Sequence, residues 1–501
     1  MKKNVLSKTG HYSRPLRRRG KANSRERKRS SPLSKNSIIG PPQSNAIVQD
    51  QGSPFYLYGA VLVACTGGFI YGFASFVITG VILFLTKGFS LSPSEVGFAI
   101  SSMIIGCLIG SSVAGTISDR LGRKKAMAIA GLLWLASAIG SALARDITDL
   151  YLFRICGGLG VAIAMLVAPI YIAEISPAHL RGRLATANQF IINGGALAAL
   201  FVCYGFSFSQ SWRWPFAVGI VPAVLLLVGL LFTPESPRWL VETQRQDKAL
   251  AILTKINGAG EAHASLREII ASQSGEQRSS SGLFRSRIRI PLIVGIGIAA
   301  FQQLTGASAV AFYAPVIFQR AGISNTSTAI GLSACLFISN MICVVIAFGL
   351  VDRWGRKPLL LAGCVGTGLG LITLTCTLNF GWSPYLAVAA TVFIQAVCNC
   401  SWGPLGWVIL GEIFPTNVRA RAMSIATLCL WVSMFASVQF VPSLFRYFEK
   451  AYGSGAPTFL IFVVPCVCAY LFVWRMLPET KGRTLEEIAT FWGAPETQHR
   501  E

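Results

Sequence analysis

The chain has 501 residues, 53% of them hydrophobic and only 13% charged. Soluble domains carry about 25% charged residues, so the balance leans away from a soluble domain and toward the bilayer. The net charge of +23 would suit nucleic acid, but its placement along the chain argues against that.

Residues 1–53 form a basic tail. Within residues 1–40 there are thirteen Lys and Arg, in runs such as Arg17-Arg18-Arg19, and one acid, Glu26. We read this tail as a disordered, lipid-facing arm rather than a nucleic-acid reader. No apolar core follows before residue 55, which argues against a cleaved secretory signal. An organelle transit sequence, Arg- and Ser-rich and nearly acid-free, is the other reading.

Twelve apolar stretches follow, near 56–85, 96–117, 125–145, 147–175, 185–207, 214–233, 289–318, 327–350, 358–378, 384–411, 422–446 and 456–477. Each is long enough for a helix to cross about 30 Å of hydrocarbon. They are too long, and alternate too little, for barrel strands, and helices satisfy their own backbone in lipid. The predicted class is therefore an all-α membrane protein with twelve transmembrane helices. Its segments are a tail (1–53), six spans (54–233), a polar linker with short helices (234–288), six more spans (289–477) and a closing tail (478–501). Arg120, Arg123, Lys124, Lys125, Arg181, Arg183, Arg353, Arg356, Lys357, Arg419 and Arg421 crowd the loops on one side. By the positive-inside rule that side, with both termini, is cytoplasmic. The thirteen cysteines all fall in apolar spans and read as small packing residues rather than disulfides or a metal site.

The two halves repeat. Asp119-Arg-Leu-Gly-Arg-Lys returns as Asp352-Arg-Trp-Gly-Arg-Lys, Glu174-Ile-Ser-Pro as Glu412-Ile-Phe-Pro, and Pro234-Glu-Ser-Pro-Arg as Pro478-Glu-Thr-Lys-Gly-Arg, at offsets of 233, 238 and 244. One six-helix unit has been duplicated, which places a substrate site between the halves near the midplane. The loop cations are expected to face Glu174 and Glu412 across the repeat interface and to hold the inner side shut. Asp119, Arg123, Arg181, Asp352, Arg356 and Arg419 complete that candidate gate. The plainer reading is that these charges only set topology, at about 0–1 kcal/mol per exposed pair.

The segments Asp119–Lys124, Pro234–Leu240 (PESPRWL), Gln302–Gly306 (QQLTG), Val351–Lys357, Trp402–Pro415 and Pro478–Thr484 together resemble the signature set of the sugar porters of the major facilitator superfamily. The likeness covers about residues 55–490. It implies the major facilitator fold, two six-helix bundles rocking around a central sugar site. Carried over position by position, it implies substrate contacts at Gln189, Gln302, Gln303 and Asn340, with aromatic cover from Trp407 and Trp431. Amides exchange hydrogen bonds with hydroxyls and indoles cover the apolar side of a sugar ring, although Trp431 serves equally well as helix packing.

The departures matter as much. Ala74 stands where proton-coupled relatives carry a first-span Asp, and Arg154 matches the Arg that pairs with it. The alternative for Arg154 is a snorkelling anchor near the outer surface. Ala196, Leu430, Ser308 and Phe312 replace polar groups of the family pocket. The resemblance therefore implies a carrier of a sugar or polyol, acting as a uniporter because no acid is evident in mid-span, with Asp149 the one substitute near Arg154. The alternatives are proton symport, a less hydroxylated solute, or a non-transporting sensor. No enzyme chemistry, cofactor, metal site or nucleic-acid partner is implied, and the membrane is the cell's inner or plasma membrane or an organelle's. Solute identity and oligomeric state stay open.

Overall fold

The computed structural model describes residues 53–276, 286–414, 419–479 and 481. The side chains at 178, 179, 181, 182, 185, 186, 272–276, 286–288, 348, 352, 419 and 420 lie outside that description. So do the basic tail before Ser53 and the closing tail beyond Lys481.

Five long helices open the first half: α1 (Pro54–Gly88), α2 (Pro93–Leu121), α3 (Arg123–Leu143), α4 (Ile147–Ile175) and α5 (Ala178–Ser207). The sixth span is divided into α6 (Arg213–Val218) and α7 (Ile220–Phe232). Three shorter helices follow, α8 (Pro237–Glu242), α9 (Gln246–Asn257) and α10 (Ala259–Glu276). The second half begins with a seventh span in three pieces: α11 (Ser286–Leu304), α12 (Ala307–Phe312) and α13 (Ala314–Arg320). Next come α14 (Thr326–Trp354), α15 (Arg356–Asn379) and a tenth span broken into α16 (Pro384–Cys400) and α17 (Trp402–Ile413). The last spans are α18 (Arg419–Gln439) with α19 (Val441–Tyr452), and α20 (Thr458–Ile461) with α21 (Val463–Met476). Twelve of these helices or helix runs are long and apolar enough to cross a membrane. This is the all-α, twelve-span fold that the sequence predicts. The expected sixth, seventh, tenth, eleventh and twelfth spans differ in being broken rather than continuous.

Polar caps start the helices where the chain leaves a loop. Ser92 and Glu95 form a capping box on α2, with the Ser92 N–H donating to Glu95 Oε2 at 2.8 Å and the Glu95 N–H donating to Ser92 Oγ at 3.4 Å. Asp146 caps α4 by accepting from the Asp149 N–H at 2.8 Å, and Asn325 caps α14 by accepting from Ser327 and Thr328. Each cap takes up backbone donors that the first turn leaves without a partner.

Between the helices, small residues allow the backbones to touch. A Cβ at Gly106 of α2 would lie 2.0 Å from the Ile155 carbonyl oxygen of α4, and one at Gly158 would lie 2.1 Å from the Met103 oxygen. Gly72 of α1 meets the Ile192 oxygen of α5 in the same way, at 1.9 Å. With no hydrophobic drive between helices in lipid, this close van der Waals packing is what joins them. Because backbone cannot yield as a side-chain tip can, Gly158→Val is expected to cost about 1–3 kcal/mol. A lowered Tm in detergent checks this, with Gly115→Ala, which meets nothing within 4 Å, as the neutral control.

Candidate functional site

The twelve spans give the molecule two ends. One, the charged face, holds the α2–α3, α4–α5 and α14–α15 turns and the helices α8 to α10. Here the sequence repeat becomes a repeated piece of chemistry. The chain passes from α2 to α3 through Gly122 at φ +91°, and from α14 to α15 through Gly355 at φ +87°. That left-handed turn favours glycine. Glu235 covers the first turn, accepting from the Arg123 N–H at 3.0 Å and the Lys124 N–H at 3.1 Å. Glu479 does the same for Arg356 and Lys357, at 2.9 and 3.0 Å. A carboxylate on a helix N-terminus satisfies open backbone donors and suits the positive end of the helix dipole. A Cβ at Gly122 would also lie 2.4 Å from Glu235 Oε2. The glycine of one motif and the glutamate of another are thus a single device.

The guanidinium of each motif turns inward. Arg123 Nη2 donates to Glu174 Oε1 at 2.9 Å, and Ser236 Oγ donates to the other Glu174 oxygen at 2.5 Å. Arg356 Nη2 donates to Glu412 Oε1 at 3.1 Å. Arg123 also lies 3.8 Å from Asp119 and 3.9 Å from Glu242. Burial raises the Glu242 carboxyl above the usual carboxylate range, against the pull of Arg123. Arg123–Glu174 joins α3 to α4 within the first half, and Arg356–Glu412 joins α15 to α17 within the second. The expected contact across the repeat interface is therefore not made by these pairs. The reason is local: the arginine opening each half's third span reaches the nearest carboxylate, at the end of the next span. The side chains of Arg181, Asp352 and Arg419 lie outside the described residues.

Deeper in the second half, the breaks in the seventh and tenth spans hold three of the six candidate binding residues, Gln302, Gln303 and Trp407. Gly306 at φ +85° separates α11 from α12, and Ser401 separates α16 from α17. Both breaks free backbone carbonyls in mid-membrane, where an unpaired one is costly. Gln302 Nε2 donates to the Trp402 and Gly403 oxygens, both at 3.2 Å, binding α11 to the tenth-span break. In return, Gln395 Nε2 of α16 donates to the Ala307 oxygen at 2.6 Å. Gln303 Oε1 accepts from Ser308 Oγ at 2.5 Å, and its backbone oxygen accepts from Ser437 of α18 at 3.0 Å.

Gln302 thus spends its amide donors on structure, and its Oε1 is buried without a hydrogen-bond partner, against Gly406 beside Trp407. Asn340 Oδ1 on α14 and Asn188 Oδ1 on α5 are buried and unpartnered in the same way. Gln189 is exposed and Trp407 half-buried. Trp431 is buried and presents an edge contact to Tyr71 of α1, with ring centroids 6.4 Å apart across the two halves. The sequence reading missed Asn188, Gln395, Glu235 and Glu479. The recurring Pro-Glu at 234–235 and 478–479 was the available signal for the last two.

Arg154 is 3% exposed and does not snorkel. Its Nη2 donates to the Ile100 oxygen of α2 at 3.4 Å, while Nε has no partner. Among the described residues no carboxylate pairs with it. Asp149 accepts instead from the Arg145 N–H at 3.2 Å, at the head of α4, and Ala74 is fully buried.

With this geometry in place, comparison with known proteins is informative. The family model described as "Sugar (and other) transporter" matches residues 60–492. The arabinose-proton symporter of Bacillus subtilis is 37% identical, over 86% of this chain and 95% of that protein. The D-xylose-proton symporter of Escherichia coli K12 is 34% identical, over 88% and 97%. An inward-open structure of the xylose transporter XylE from E. coli superimposes with a TM-score of 0.76 at 32% identity, covering 87% of this chain and 100% of that one. The chain belongs to the sugar-porter family of the major facilitator superfamily, and is a multi-pass membrane transporter rather than an enzyme.

Proposed function

We propose that this protein carries a pentose or hexose across the cell membrane by alternating access, as a uniporter, with the charged face and both termini in the cytoplasm. The sugar reading rests on the buried amide oxygens of Asn188, Gln302 and Asn340, acceptors without partners on three spans of both halves. Carbonyl acceptors call for donors, and a sugar's hydroxyls supply them. The state is open toward the charged face. Between described residues, the hydrogen bonds that cross from one half to the other lie at the far face, away from the charged loops.

Uniport rests on one observation: among the described residues, Arg154 has no carboxylate to pair with and no acid lies in the middle of a span. Proton coupling needs a titrating group whose charge changes with the substrate, and alanine at position 74 cannot serve. Symport is the second reading, because the relatives named above are proton symporters of arabinose and xylose. Proteoliposomes loaded with a pH-sensitive dye separate the two. Uniport gives sugar uptake with no matching proton entry and no accumulation driven by a proton gradient. Proton entry in step with uptake overturns it and makes Asp149 the first residue to substitute.

For the site, Gln303→Ala is expected to weaken sugar binding by about 1–3 kcal/mol, the cost of leaving a buried polar partner unsatisfied. Gln302→Ala should lower binding and also Tm, because it strips the donors from the tenth-span break. Calorimetry with D-xylose, L-arabinose and D-glucose reads both. Parental affinity in both variants places the site elsewhere.

At the charged face we assign the two Arg–Glu pairs the task of keeping each half's end rigid while the halves rock. Arg123 and Glu174 are 7% and 9% exposed, against 17% and 25% for Arg356 and Glu412. Breaking a buried pair costs about 3–5 kcal/mol, and water softens the loss at a more exposed one. Glu174→Gln is therefore expected to lower Tm more than Glu412→Gln, and equal losses would refute the ranking.

A further inference from the structure

At the far face the two halves meet along two seams. In one, Ser207 Oγ at the end of α5 donates to Ser327 Oγ at the start of α14, at 2.7 Å. The other is built around a single residue, Gln439, the last of α18. Its Oε1 accepts from Ser101 Oγ of α2 at 2.5 Å, and its Nε2 donates to the Ser94 backbone oxygen at 3.2 Å. Its own backbone oxygen lies where a Cβ on Gly97 would be only 2.2 Å away. Ser94, Gly97 and Ser101 are spaced i, i+3, i+7, one stripe of the α2 surface. One carboxamide therefore spans two turns of the facing helix, and a glycine between the two bonds lets the backbones close.

We infer that Gln439 is a gating residue of the transport step: its carboxamide latches the far face shut, and opening to that side requires both of its bonds to α2 to break. Ser101 is fully buried, so its hydroxyl loses its acceptor as the seam parts, a loss that opening must offset. The bonds exist only in the state closed at the far face. They therefore shift the equilibrium between states, not merely the stability of one helix. The inference rests on alternating access and is independent of which sugar is carried or whether protons move.

Hydrogen–deuterium exchange on the purified, full-length transporter tests it. Gln439→Leu keeps the bulk and removes both side-chain bonds. It should speed exchange at residues 93–103 and 434–441 by roughly tenfold, the equivalent of about one to two net hydrogen bonds. At the same time it should slow exchange at the charged-face ends of α2 and α18, which close as the far face opens. Ser101→Ala should reproduce a smaller shift in the same sense. The double variant should add less than the sum of the two, because both act on one contact. Sugar uptake should change in apparent KM and maximal rate together, because the population of each open state shifts. Faster exchange at both ends together, with a lowered Tm, would mean that Gln439 only packs the bundle. Unchanged exchange in both single variants would remove the latch altogether.

Discussion

The constraint on which the rest of the structure depends is that no backbone carbonyl can be left open in hydrocarbon. Seven of the spans meet it as single uninterrupted helices. The seventh and tenth are interrupted at Gly306 and Ser401, and side-chain amides tie the two breaks together. Gln302 on α11 donates to the Trp402 and Gly403 carbonyls at the start of α17, and Gln395 on α16 donates to the Ala307 carbonyl at the start of α12. The crossed amides make the two broken spans one unit, so movement at one break is felt at the other. The same bonds position the candidate binding residue Gln302. Gln302 holds its free oxygen against Gly406, next to Trp407, only because its donors are anchored one turn away.

The charged face shows the same economy at a different polarity. Each half uses one glycine turn, one capping glutamate and one Arg–Glu pair to join the ends of three spans. In the first half Trp239 Nε1 adds a bond to the Asp119 oxygen at 2.8 Å, and Tyr171 donates to the Pro234 oxygen at 2.8 Å. Lys124 reaches the Leu231 oxygen at the end of the sixth span, and Lys357 reaches the Trp474 oxygen at the corresponding place in the twelfth. These bonds fix the ends of each bundle internally, and each stays within one half or between it and the segment that follows it.

Much of this was legible in the sequence. Hydrocarbon thickness sets span length, so twelve apolar stretches could be counted, and the duplicated motifs identified two equivalent halves. The pairing of Arg123 with Glu174 and of Arg356 with Glu412 followed from their matched recurrence. Whether those pairs lie within or between halves did not, because sequence spacing says nothing about which helix ends meet in space. Gln302 was read as facing a ligand, and its structural role was hidden because the tenth-span break was not recognised. The Gly403-Pro404 step after Ser401 was a sign of a helix restarting, yet the apolar run on both sides of it reads as continuous. Gln439 gave no sign at all, being one polar residue at a helix end whose partner stripe lies 338 positions away.

Arg154 connects these levels. A guanidinium buried without a carboxylate is expensive, and its recorded bond goes to the Ile100 carbonyl of α2. The next residue, Ser101, carries the hydroxyl that meets Gln439. The cation therefore steadies the turn of α2 that forms the far-face seam, and it does so from α4, through the helix pair that Gly106 and Gly158 press into backbone contact. Electrostatics at position 154 and hydrogen bonding at position 439 act on two successive residues of one helix. A charge change near Arg154, whether from a solute or a proton, would reach the seam through a single peptide unit, the one that joins Ile100 to Ser101.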